Sequence, residues 1–497
     1  MTAPILARSD ARSVVGRLEA LGVSLADLTA DSRSVKMGSV FVAYPGTVRD
    51  GRAFIGEAIA RGAAAVVWER QGFTWNERWT VPNVAVENLR ARISAIAGEA
   101  YGNPSDALWM AGVTGTNGKT SVSQWIAAAL DASGRRSAVI GTLGNGLVGE
   151  RAEARNTTPD AIVVQRLLAD YLRRGARHVA MEVSSHGLDQ ERVAAVRYDV
   201  AAFTNLTRDH LDYHGTMEAY AEAKYRLFSA RGVRYGVINV DDAWGARFAR
   251  RLAGGGVDVI TFGADARDAR LRASRIALSE AGVRFHVASE WGEGEVAAAV
   301  LGAFNVSNLL AVTGALVAAG IGFDRALAAV SALQPVPGRL ERVGGGDAPL
   351  VVVDYAHTPD ALDKALGALR PCVAAGHRLF CVFGCGGERD TGKRPIMGEV
   401  AARLADHVVV TSDNPRGEDP DAIIAQVMGG IRGAGAEAIE DRQVAIFSAV
   451  HQARPGDVVL LAGKGHETYQ EVAGSRLPFN DREVASAALA QWHAGTR

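Results

Sequence analysis

The residues best suited to chemistry form one glycine-rich segment, Val113-Thr114-Gly115-Thr116-Asn117-Gly118-Lys119-Thr120-Ser121. It follows an apolar, β-branched run and opens a helical pattern, which is the context that a phosphate-binding loop requires. Backbone amides and the helix N-terminus can hold phosphate oxygens, while Lys119 can neutralise the β- and γ-phosphates and Thr120 can ligate Mg²⁺. Val113 stands where the first glycine of a standard Walker A motif belongs. The alternative interpretation is a glycine-rich turn with an exposed lysine.

Other polar residues follow further apolar runs. Glu182 ends one run, where a carboxylate can face a metal held by the phosphate loop, or can simply cap the next turn. Asp209 and His210 follow another run, and Asp209 alone is typical of a helix N-cap. Lys224 lies in a helical pattern over residues 217–228, and by itself it is typical of a solvated helix lysine. These clusters predict a polar site at the ends of several strands.

The elements that must position these residues alternate along the chain after residue 105. Short apolar runs suit strands buried on both faces of a parallel sheet, and alanine-rich helical patterns separate them, which predicts α/β layers. Ligands of such sheets bind beyond the carboxyl ends of the strands, where the polar clusters fall. The predicted strands cover residues 108–113, 178–183, 200–204, 236–240, 350–355, 379–383, 407–411 and 457–462. The predicted helices include residues 121–132, 217–228 and 395–405.

Two turn clusters divide the chain. Residues 102–106 combine glycine, asparagine and proline before a strong strand, and residues 334–338 contain two prolines and a glycine. We therefore predict a leading domain over residues 1–104, a central domain over 105–337 and a C-terminal domain over 338–497.

The composition excludes several classes of protein. With 497 residues, 22% charged and 48% hydrophobic, the chain suits about three folded domains and not a largely disordered protein. A net charge of −1 argues against binding along a nucleic-acid backbone. Three cysteines cannot form a secreted disulfide framework, and Cys381 and Cys385 have no second pair for a zinc site, so we expect a reducing cytoplasm. We find no secretory leader and no apolar run of about 20 residues, so no membrane span is expected.

The segment Gly115-Thr116-Asn117-Gly118-Lys119-Thr120 resembles the ATP loop of the Mur ligase and folylpolyglutamate synthase superfamily, whose members join an amino acid to a carboxylate with ATP. The resemblance covers essentially the whole chain, in matching order, and is strongest to the Mur ligases that add meso-2,6-diaminopimelate. It implies an α/β fold of three domains. These are a smaller N-terminal α/β domain for the UDP-sugar, a central P-loop ATPase-like parallel sheet, and a Rossmann-like C-terminal domain for the amino acid.

The resemblance implies metal-binding and catalytic roles. Glu182 would bind Mg²⁺ together with Thr120, and His210 would bind a second Mg²⁺. A carbamylated Lys224 would bridge the metals, since a carbamate supplies the oxygen ligands that Mg²⁺ prefers. Arg339 would reach the γ-phosphate, because arginine stays charged and can bind oxygens bidentately. The implied catalytic residues are Lys119, Lys224, His210 and Arg339.

The resemblance also implies three sets of binding residues. ATP would contact Gly115, Thr116, Asn117, Gly118, Lys119, Thr120, Ser121, Asn305, Asn308, Arg339, Asp354 and His357. The UDP-N-acetylmuramoyl dipeptide would contact Ser32, Thr47, Val48, Arg49, Asn156, Thr157, Thr158, Ser184, Gln190 and Arg192. Diaminopimelate would contact Arg389, Asp413, Asn414, Pro415, Arg416, Gly463 and Glu467. Arg416 matters most for specificity, because it would pair with the second carboxylate that lysine lacks.

The implied reaction adds meso-diaminopimelate to the D-Glu γ-carboxylate of UDP-N-acetylmuramoyl-L-alanyl-D-glutamate through an acyl phosphate, as a step of peptidoglycan precursor synthesis. The expected cofactors are ATP and Mg²⁺, and the expected partners are these small molecules, with no nucleic acid, for a monomeric enzyme. A lysine-adding relative would share every motif except the one around Arg416. A folylpolyglutamate synthase would lack the leading domain. An ATP-driven switch or binding module would not need the diaminopimelate set, and a purely structural role would leave the strand-end clusters unexplained.

Overall fold

The computed structural model describes residues 8–46, 49–150, 152–154, 156–373, 375–433 and 435–492. Contacts between residues group the chain into two compact units. The first comprises Met1–Arg272 and Leu310–Ala326, and the second comprises Ala273–Leu309 and Leu327–Arg497. The domain boundaries predicted after residues 104 and 337 stay predictions.

The leading part of the first unit is a parallel sheet in the order β1-β2-β3-β4. Its strands are β1 (Leu28–Thr29), β2 (Val40–Ala43), β3 (Ala65–Glu69) and β4 (Asn83–Val86), and its helices are α1 (Arg8–Ala20), α2 (Ile55–Ala60) and α3 (Leu89–Ala100). Alternate residues of β2 face opposite sides: Val40 and Val42 join the core with α1 and α3, and Phe41 joins the core with α2. Both faces are therefore buried, as expected for parallel strands.

A second sheet of the first unit runs in the order β7-β6-β8-β5-β9-β10-β11-β12, and all its neighbours are parallel except β6 and β7. Its strands are β5 (Trp109–Thr114), β6 (Ser137–Gly141), β7 (Gly144–Leu147), β8 (His178–Glu182), β9 (Val200–Phe203), β10 (Tyr235–Asn239), β11 (Asp258–Gly263) and β12 (Leu271–Ser279). Only Leu271 and Arg272 of β12 pair with β11. Its helices are α4 (Lys119–Ala132), α5 (Ala161–Arg173), α6 (Ser185–Asp189), α7 (Leu211–His214), α8 (Met217–Tyr225), α9 (Ala243–Leu252) and α10 (Phe304–Ala318), which continues from the second unit.

Close packing of β5 requires a glycine at its centre. A Cβ added at Gly112 would lie 2.9 Å from the Tyr198 ring and 3.0 Å from Leu227. Real Cβ atoms do not approach that closely, so a larger residue would push these core side chains aside. Since β5 leads directly into the glycine-rich loop, this packing fixes where the loop begins.

The second unit contains a sheet in the order β15-β16-β20-β17-β18-β19, parallel except for β15. The strands of this sheet are β15 (Glu341–Gly344), β16 (Leu350–Asp354), β17 (Leu379–Phe383), β18 (His407–Val410), β19 (Ala436–Ala438) and β20 (Val458–Ala462). The unit also contains two antiparallel pairs outside this sheet: β13 (Gly282–Ser289) with β14 (Gly292–Ala298), and β21 (Tyr469–Val472) with β22 (Ser475–Pro478). Its helices are α11 (Phe323–Ser331), which begins in the first unit, α12 (Pro359–Leu369), α13 (Lys393–Leu404), α14 (Pro420–Met428), α15 (Arg442–Gln452) and α16 (Asp481–Ala490). Among the residues that the structure describes, short 3₁₀ helices lie at Ser32–Ser34, Gly51–Phe54, Pro104–Asp106, Arg226–Ser229 and Arg370–Cys372.

A buried ion pair anchors the strand ends of the second unit. Arg442 and Asp481 have fully buried side chains and pair at 2.7 Å. Arg442 also donates to the carbonyls of Ser412 at 3.4 Å and Ala462 at 3.0 Å, just beyond β18 and at the end of β20. The guanidinium therefore holds together the two strand ends that precede the segments 413–416 and 463–467.

The predicted elements agree well with the observed ones. The strand predicted at 379–383 is β17 (Leu379–Phe383), and the one predicted at 108–113 is observed at Trp109–Thr114. The helix predicted over 217–228 ends as an α-helix at Tyr225 and then tightens into the 3₁₀ helix Arg226–Ser229. Within the described ranges, no helix is both long and apolar enough to cross a membrane.

Candidate active site

The glycine-rich loop joins β5 to α4, as the sequence predicts. Gly115 has a φ of +149°, and a Cβ there would lie 1.9 Å from Thr204 Oγ1, so only glycine fits. The loop is bound to the segment after β9: Thr116 N donates to Asn205 O at 2.8 Å, and Asn117 N donates to Asn205 Oδ1 at 3.0 Å. These bonds hold the loop open at the carboxyl edge of the sheet.

Lys119 concentrates positive charge at this loop. Its Nζ donates to the carbonyls of Gly115 at 2.9 Å and Thr116 at 2.8 Å. Gly118 occupies the N-cap of α4 with a φ of +84°, and it has no side chain to cover the first-turn amides. The ammonium and the helix N-terminus together form a site that suits phosphate oxygens. Ser121 lies in the buried first turn of the same helix.

Glu182 ends β8 and is fully buried. One carboxylate oxygen accepts from Thr142 N at 2.7 Å, and the other accepts from Thr120 Oγ1 at 3.0 Å and Thr142 Oγ1 at 3.1 Å. A hydroxyl beside a carboxylate at the phosphate loop is a donor set of hard oxygens, which fits Mg²⁺. The sequence reasoning missed Thr142. Thr142 could have been found because it directly follows the apolar run that forms β6, and its side chain therefore lies at the same edge of the sheet as Glu182.

Lys224, on α8, is buried beneath the loop. Its Nζ donates to Gly115 O at 2.7 Å and lies 4.4 Å from the centre of the Tyr220 ring. Burial lowers the pKa of the Lys224 ammonium well below its ordinary value, and the charge of Lys119 lowers it further. A lysine in this setting loses its proton readily, and a neutral amine is the form that can combine with carbon dioxide to give a carbamate.

His210 adopts a left-handed backbone conformation, with a φ of +52°, immediately before α7. Its ring lies in an aromatic cluster, 4.8 Å from the His186 ring and 6.0 Å from the Tyr220 ring. Within the described ranges, no three His, Cys, Asp or Glu side chains gather as a metal site. Of the predicted metal ligands Thr120, Glu182, His210 and Lys224, only Glu182 and His210 are of these residue types. The metal-binding roles of all four stay predictions.

The central residues predicted to bind the UDP-sugar dipeptide lie close together near the end of β8. Thr158 Oγ1 donates to Glu182 O at 2.9 Å and accepts from Ser184 N at 3.0 Å. Thr157 Oγ1 lies 3.0 Å from Thr142 Oγ1. Arg192 donates to Thr158 O at 2.7 Å and twice to Gln190 Oε1, at 2.6 and 3.0 Å. Asn156 lines two cavities beside this group.

The larger of these cavities has a volume of about 650 Å³. It is lined by Asp27, Leu28, Thr29, Ala30, Asp31, Ser34, Lys36, Asn145, Glu153, Asn156, Pro159, Asp160, Ile162, Val163 and Arg166. Ser32 is buried, and its hydroxyl donates to Glu57 Oε2 at 3.3 Å, whereas its neighbours Asp31 and Ser34 face the cavity. Arg49 is exposed, and Thr47 and Val48 lie outside the described residues. Sequence reasoning missed the β1 residues that line this cavity, because their run is too short to stand out.

Two of the residues predicted to bind the amino acid, Asn414 and Glu467, belong to one hydrogen-bonded network in the second unit. Asn414 Nδ2 donates to Glu467 Oε2 at 2.9 Å, which joins the segment after β18 to the segment after β20. Lys464, fully buried, donates to Asn414 Oδ1 at 3.0 Å and Glu467 Oε2 at 2.9 Å. Burial raises the pKa of Asp413, which Arg442 and Lys464 oppose. Gly463 has a φ of +115°, and a Cβ there would lie 2.5 Å from Asp413 Oδ2. No motif in the sequence predicted a binding role for Lys464.

Arg416 lies beside this network in a strained backbone conformation, with a φ of +53°. Its backbone is held by β21, since Arg416 N donates to Glu471 O at 2.9 Å and Ala473 N donates to Arg416 O at 2.7 Å. Its Nη1 donates to Gly387 O at 2.6 Å, and its Nε lies 3.3 Å from Glu471 Oε2. Pro415 is buried next to it, and Arg389 is exposed on the loop after β17.

The predicted nucleotide residues of the second unit lie near the start of α10 and the end of β16. Asn305 Nδ2 donates to Leu301 O at 2.7 Å, and Asn308 Nδ2 donates to Asn305 Oδ1 at 2.8 Å. The Arg339 guanidinium lies 5.1 Å from the centre of the Tyr355 ring. Asp354 accepts from the amides of Leu340 at 2.8 Å and Ala356 at 2.9 Å. His357 Nδ1 lies 2.8 Å from Tyr355 O.

Three family models match the chain in sequence order: the Mur ligase catalytic domain over residues 25–101, the Mur ligase middle domain over 113–316, and the Mur ligase glutamate ligase domain over 338–465. The chain belongs to the Mur ligase family. A UDP-N-acetylmuramoyl-L-alanyl-D-glutamate–2,6-diaminopimelate ligase from Chromobacterium violaceum is 51% identical over 476 residues, 96% of each chain. The enzyme of the same name from Pseudomonas aeruginosa is 52% identical over 469 residues, 94% of this chain and 95% of that one.

Solved structures agree with this membership. A UDP-N-acetylmuramoyl-L-alanyl-D-glutamate–2,6-diaminopimelate ligase structure matches with a TM-score of 0.70 and 38% identity, over 94% of this chain and 96% of that one. The MurF ligase of Thermotoga maritima in complex with ADP matches with a TM-score of 0.63 and 20% identity, over 94% and 97% of the two chains. The second likeness supports the fold alone. The family and the three-domain α/β fold expected from the sequence are therefore confirmed.

Gly115→Ala should impair phosphate binding without unfolding the protein. The added methyl group would clash with the Thr204 hydroxyl, and a non-glycine residue at this φ carries about 1–3 kcal/mol of backbone strain. The loop must shift to relieve both, so its affinity for a fluorescent ATP analogue should fall about tenfold or more. Gly16→Ala is the control, because a Cβ at Gly16 meets nothing within 4 Å. Equal affinity of Gly115→Ala and the unchanged protein would contradict this account of the loop.

Proposed function

We propose that this chain is an ATP-dependent ligase that adds meso-2,6-diaminopimelate to UDP-N-acetylmuramoyl-L-alanyl-D-glutamate, in peptidoglycan precursor synthesis. The observation that carries the proposal is the network of Asn414, Lys464 and Glu467 beside Arg416. It combines a carboxylate, which suits the distal ammonium of diaminopimelate, with a guanidinium, which suits the distal carboxylate that lysine lacks. Close relatives over nearly the full length that bear this enzyme's name support the same substrate pair.

The proposed chemistry has two steps. An oxygen of the D-Glu γ-carboxylate attacks the γ-phosphorus of ATP, and ADP leaves. The diaminopimelate amine then attacks the acyl carbon, loses a proton, and phosphate leaves. Lys119 and the loop amides hold the phosphates and offset their charge, which is most of what a protein contributes to phosphoryl transfer. Arg339, Asp354, His357, Asn305 and Asn308 stay predicted nucleotide contacts.

Mg²⁺ would be held by Thr120 and Glu182, with His210 and a carbamate on Lys224 as the further predicted ligands. When bound, it would supply positive charge beside the phosphates. The buried Lys224 amine beside Gly115 O supports the carbamate, because its low pKa favours the neutral form. The cytoplasmic location and monomeric state stay predictions; light scattering of the purified protein would decide the second.

Phosphate release tests the reaction directly. Purified protein is mixed with ATP, Mg²⁺ and UDP-N-acetylmuramoyl-L-alanyl-D-glutamate, in parallel with meso-diaminopimelate, L-lysine or no amino acid. We expect release that depends on diaminopimelate, together with a tripeptide product by mass. Release with lysine would keep the ligase and refute the role of Arg416. No release with either amino acid would favour the folate-type or switch alternatives.

Arg416→Ala should raise the KM for diaminopimelate while leaving the KM for ATP nearly unchanged. A charge-assisted pair contributes about 1.5–3 kcal/mol, so the rise should be on the order of 10- to 100-fold. The control is Arg403→Ala, on α13, which removes an exposed ion pair with Asp363. An unchanged KM for diaminopimelate would put Arg416 outside the amino-acid site.

Lys224→Ala should abolish turnover, because no carbamate can then form, and high bicarbonate should not restore it. Short carboxylic acids should restore part of the activity by supplying the missing oxygens. Lys364→Ala, which removes an exposed pair with Asp360, serves as the control for loss of a helix lysine. Normal turnover of Lys224→Ala would show that the proposed bridging role is wrong.

A further inference from the structure

A smaller cavity of about 200 Å³ lies in the first unit and shares Asn156 and Asp160 with the larger one. It is lined by Tyr44, Gly46, Arg90, Ile93, Asn156, Asp160, Ala161, Gln190 and Arg192. Gln190 and Arg192 belong to the predicted UDP-sugar dipeptide set, whereas no motif pointed to Arg90. The cavity therefore continues the proposed substrate site toward α3.

The fold fixes the backbone of Arg90 at this cavity. The buried Glu69 carboxylate accepts from Leu89 N at 2.6 Å and from Asn88 N at 3.3 Å, which anchors the start of α3. Leu89 is fully buried in the core. Arg90 and Ile93 are three residues apart on one helix, so they lie on the same face, and both line the cavity.

The cavity is lined by two guanidinium groups, those of Arg90 and Arg192, but by only one carboxylate. The hydrogen bonds of Arg192 go to the neutral oxygens of Gln190 and Thr158. The Arg90 side chain has neither a hydrogen bond nor an ion pair among the described residues. The one carboxylate in the lining, Asp160, already accepts from Ile162 N and Val163 N as the N-cap of α5. Burial lowers the pKa of Arg192, the charge of Asp160 opposes this, and the charge of Arg90 adds a smaller lowering effect.

We propose that Arg90 binds an anionic group of the UDP-sugar dipeptide substrate, together with Arg192, in this cavity. An anion here relieves the repulsion between two like charges that the protein holds in one cavity. The group is a diphosphate or a carboxylate, both of which a guanidinium binds through paired hydrogen bonds. The inference rests on the proposed function for the identity of the substrate, and it adds a binding residue that the sequence motifs did not reveal.

The test compares the unchanged protein with Arg90→Gln and Arg90→Lys, and with Arg70→Gln as the matched control. Arg70 is an exposed arginine after β3 that pairs with Glu87 at 3.5 Å and does not line the cavity. Binding of UDP-N-acetylmuramoyl-L-alanyl-D-glutamate is measured by calorimetry at two salt concentrations. We expect Arg90→Gln to weaken binding about tenfold or more and to reduce the salt dependence, with Arg90→Lys intermediate and Arg70→Gln unchanged.

The same proteins are titrated with UDP-N-acetylglucosamine, which has the diphosphate but no carboxylate. Weaker binding of this probe to Arg90→Gln assigns the diphosphate, and unchanged binding assigns a carboxylate of the dipeptide. Unchanged binding of the full substrate to Arg90→Gln would overturn the inference. In turnover, the KM for the UDP-substrate should rise while kcat and the KM for ATP stay nearly constant, which a general loss of structure would not produce.

These outcomes separate the inference from the proposed function. Ligation by the unchanged protein with no effect of Arg90→Gln would overturn the inference alone. Substrate binding that Arg90→Gln weakens, without ligation by the unchanged protein, would overturn the ligase proposal alone. If the unchanged protein bound no UDP-substrate, both would be wrong.

Discussion

The phosphate-loop side of the first unit depends on one buried carboxylate. Glu182 has no exposed surface, so leaving it unpaired would carry a large desolvation penalty. Thr120 and Thr142 satisfy it, and in doing so they join the start of α4 and the end of β6 to the end of β8. A parallel sheet brings these three chain segments to one edge, and the carboxylate fixes their spacing there. These bonds fix the position of the glycine-rich loop, which the sequence predicts to bind phosphate, at this edge of the sheet.

In the second unit, a buried ion pair positions the strand ends. The buried pair of Arg442 and Asp481 holds the ends of β18 and β20, and the segments that follow meet through Asn414, Lys464 and Glu467. Buried ion pairs contribute little net stability compared with apolar packing, but losing one partner leaves the other charge uncompensated. We infer that such pairs serve here to orient polar side chains. Orientation would matter for the proposed substrate, which differs from lysine by one distant carboxylate.

Much of this organisation could be predicted. The strands showed as continuous apolar runs because both faces of a parallel sheet are buried, and β17 was predicted to the residue. The loop around Lys119 was clear because its glycines, lysine and threonine form a contiguous motif. Thr142, Lys464 and Arg90 were not found, since each lies beside at least one site residue that is distant in sequence: Glu182, Asn414 and Arg192, respectively. The substrate contact of Ser32 stays a prediction, since its hydroxyl donates to Glu57 while its neighbours Asp31 and Ser34 line the cavity.

The sequence by itself determined the α/β architecture, the family and the position of the glycine-rich loop between a strand and a helix, since these depend on local order: apolar periodicity, turn residues and contiguous motifs. Only the tertiary structure decided that Lys224 is buried against Gly115, and that Arg90 shares a cavity with Arg192. Burial and charge neighbours are properties of packing between distant segments. They lower the pKa of a buried lysine and leave an arginine without a counter-ion, and no spacing along the chain encodes them.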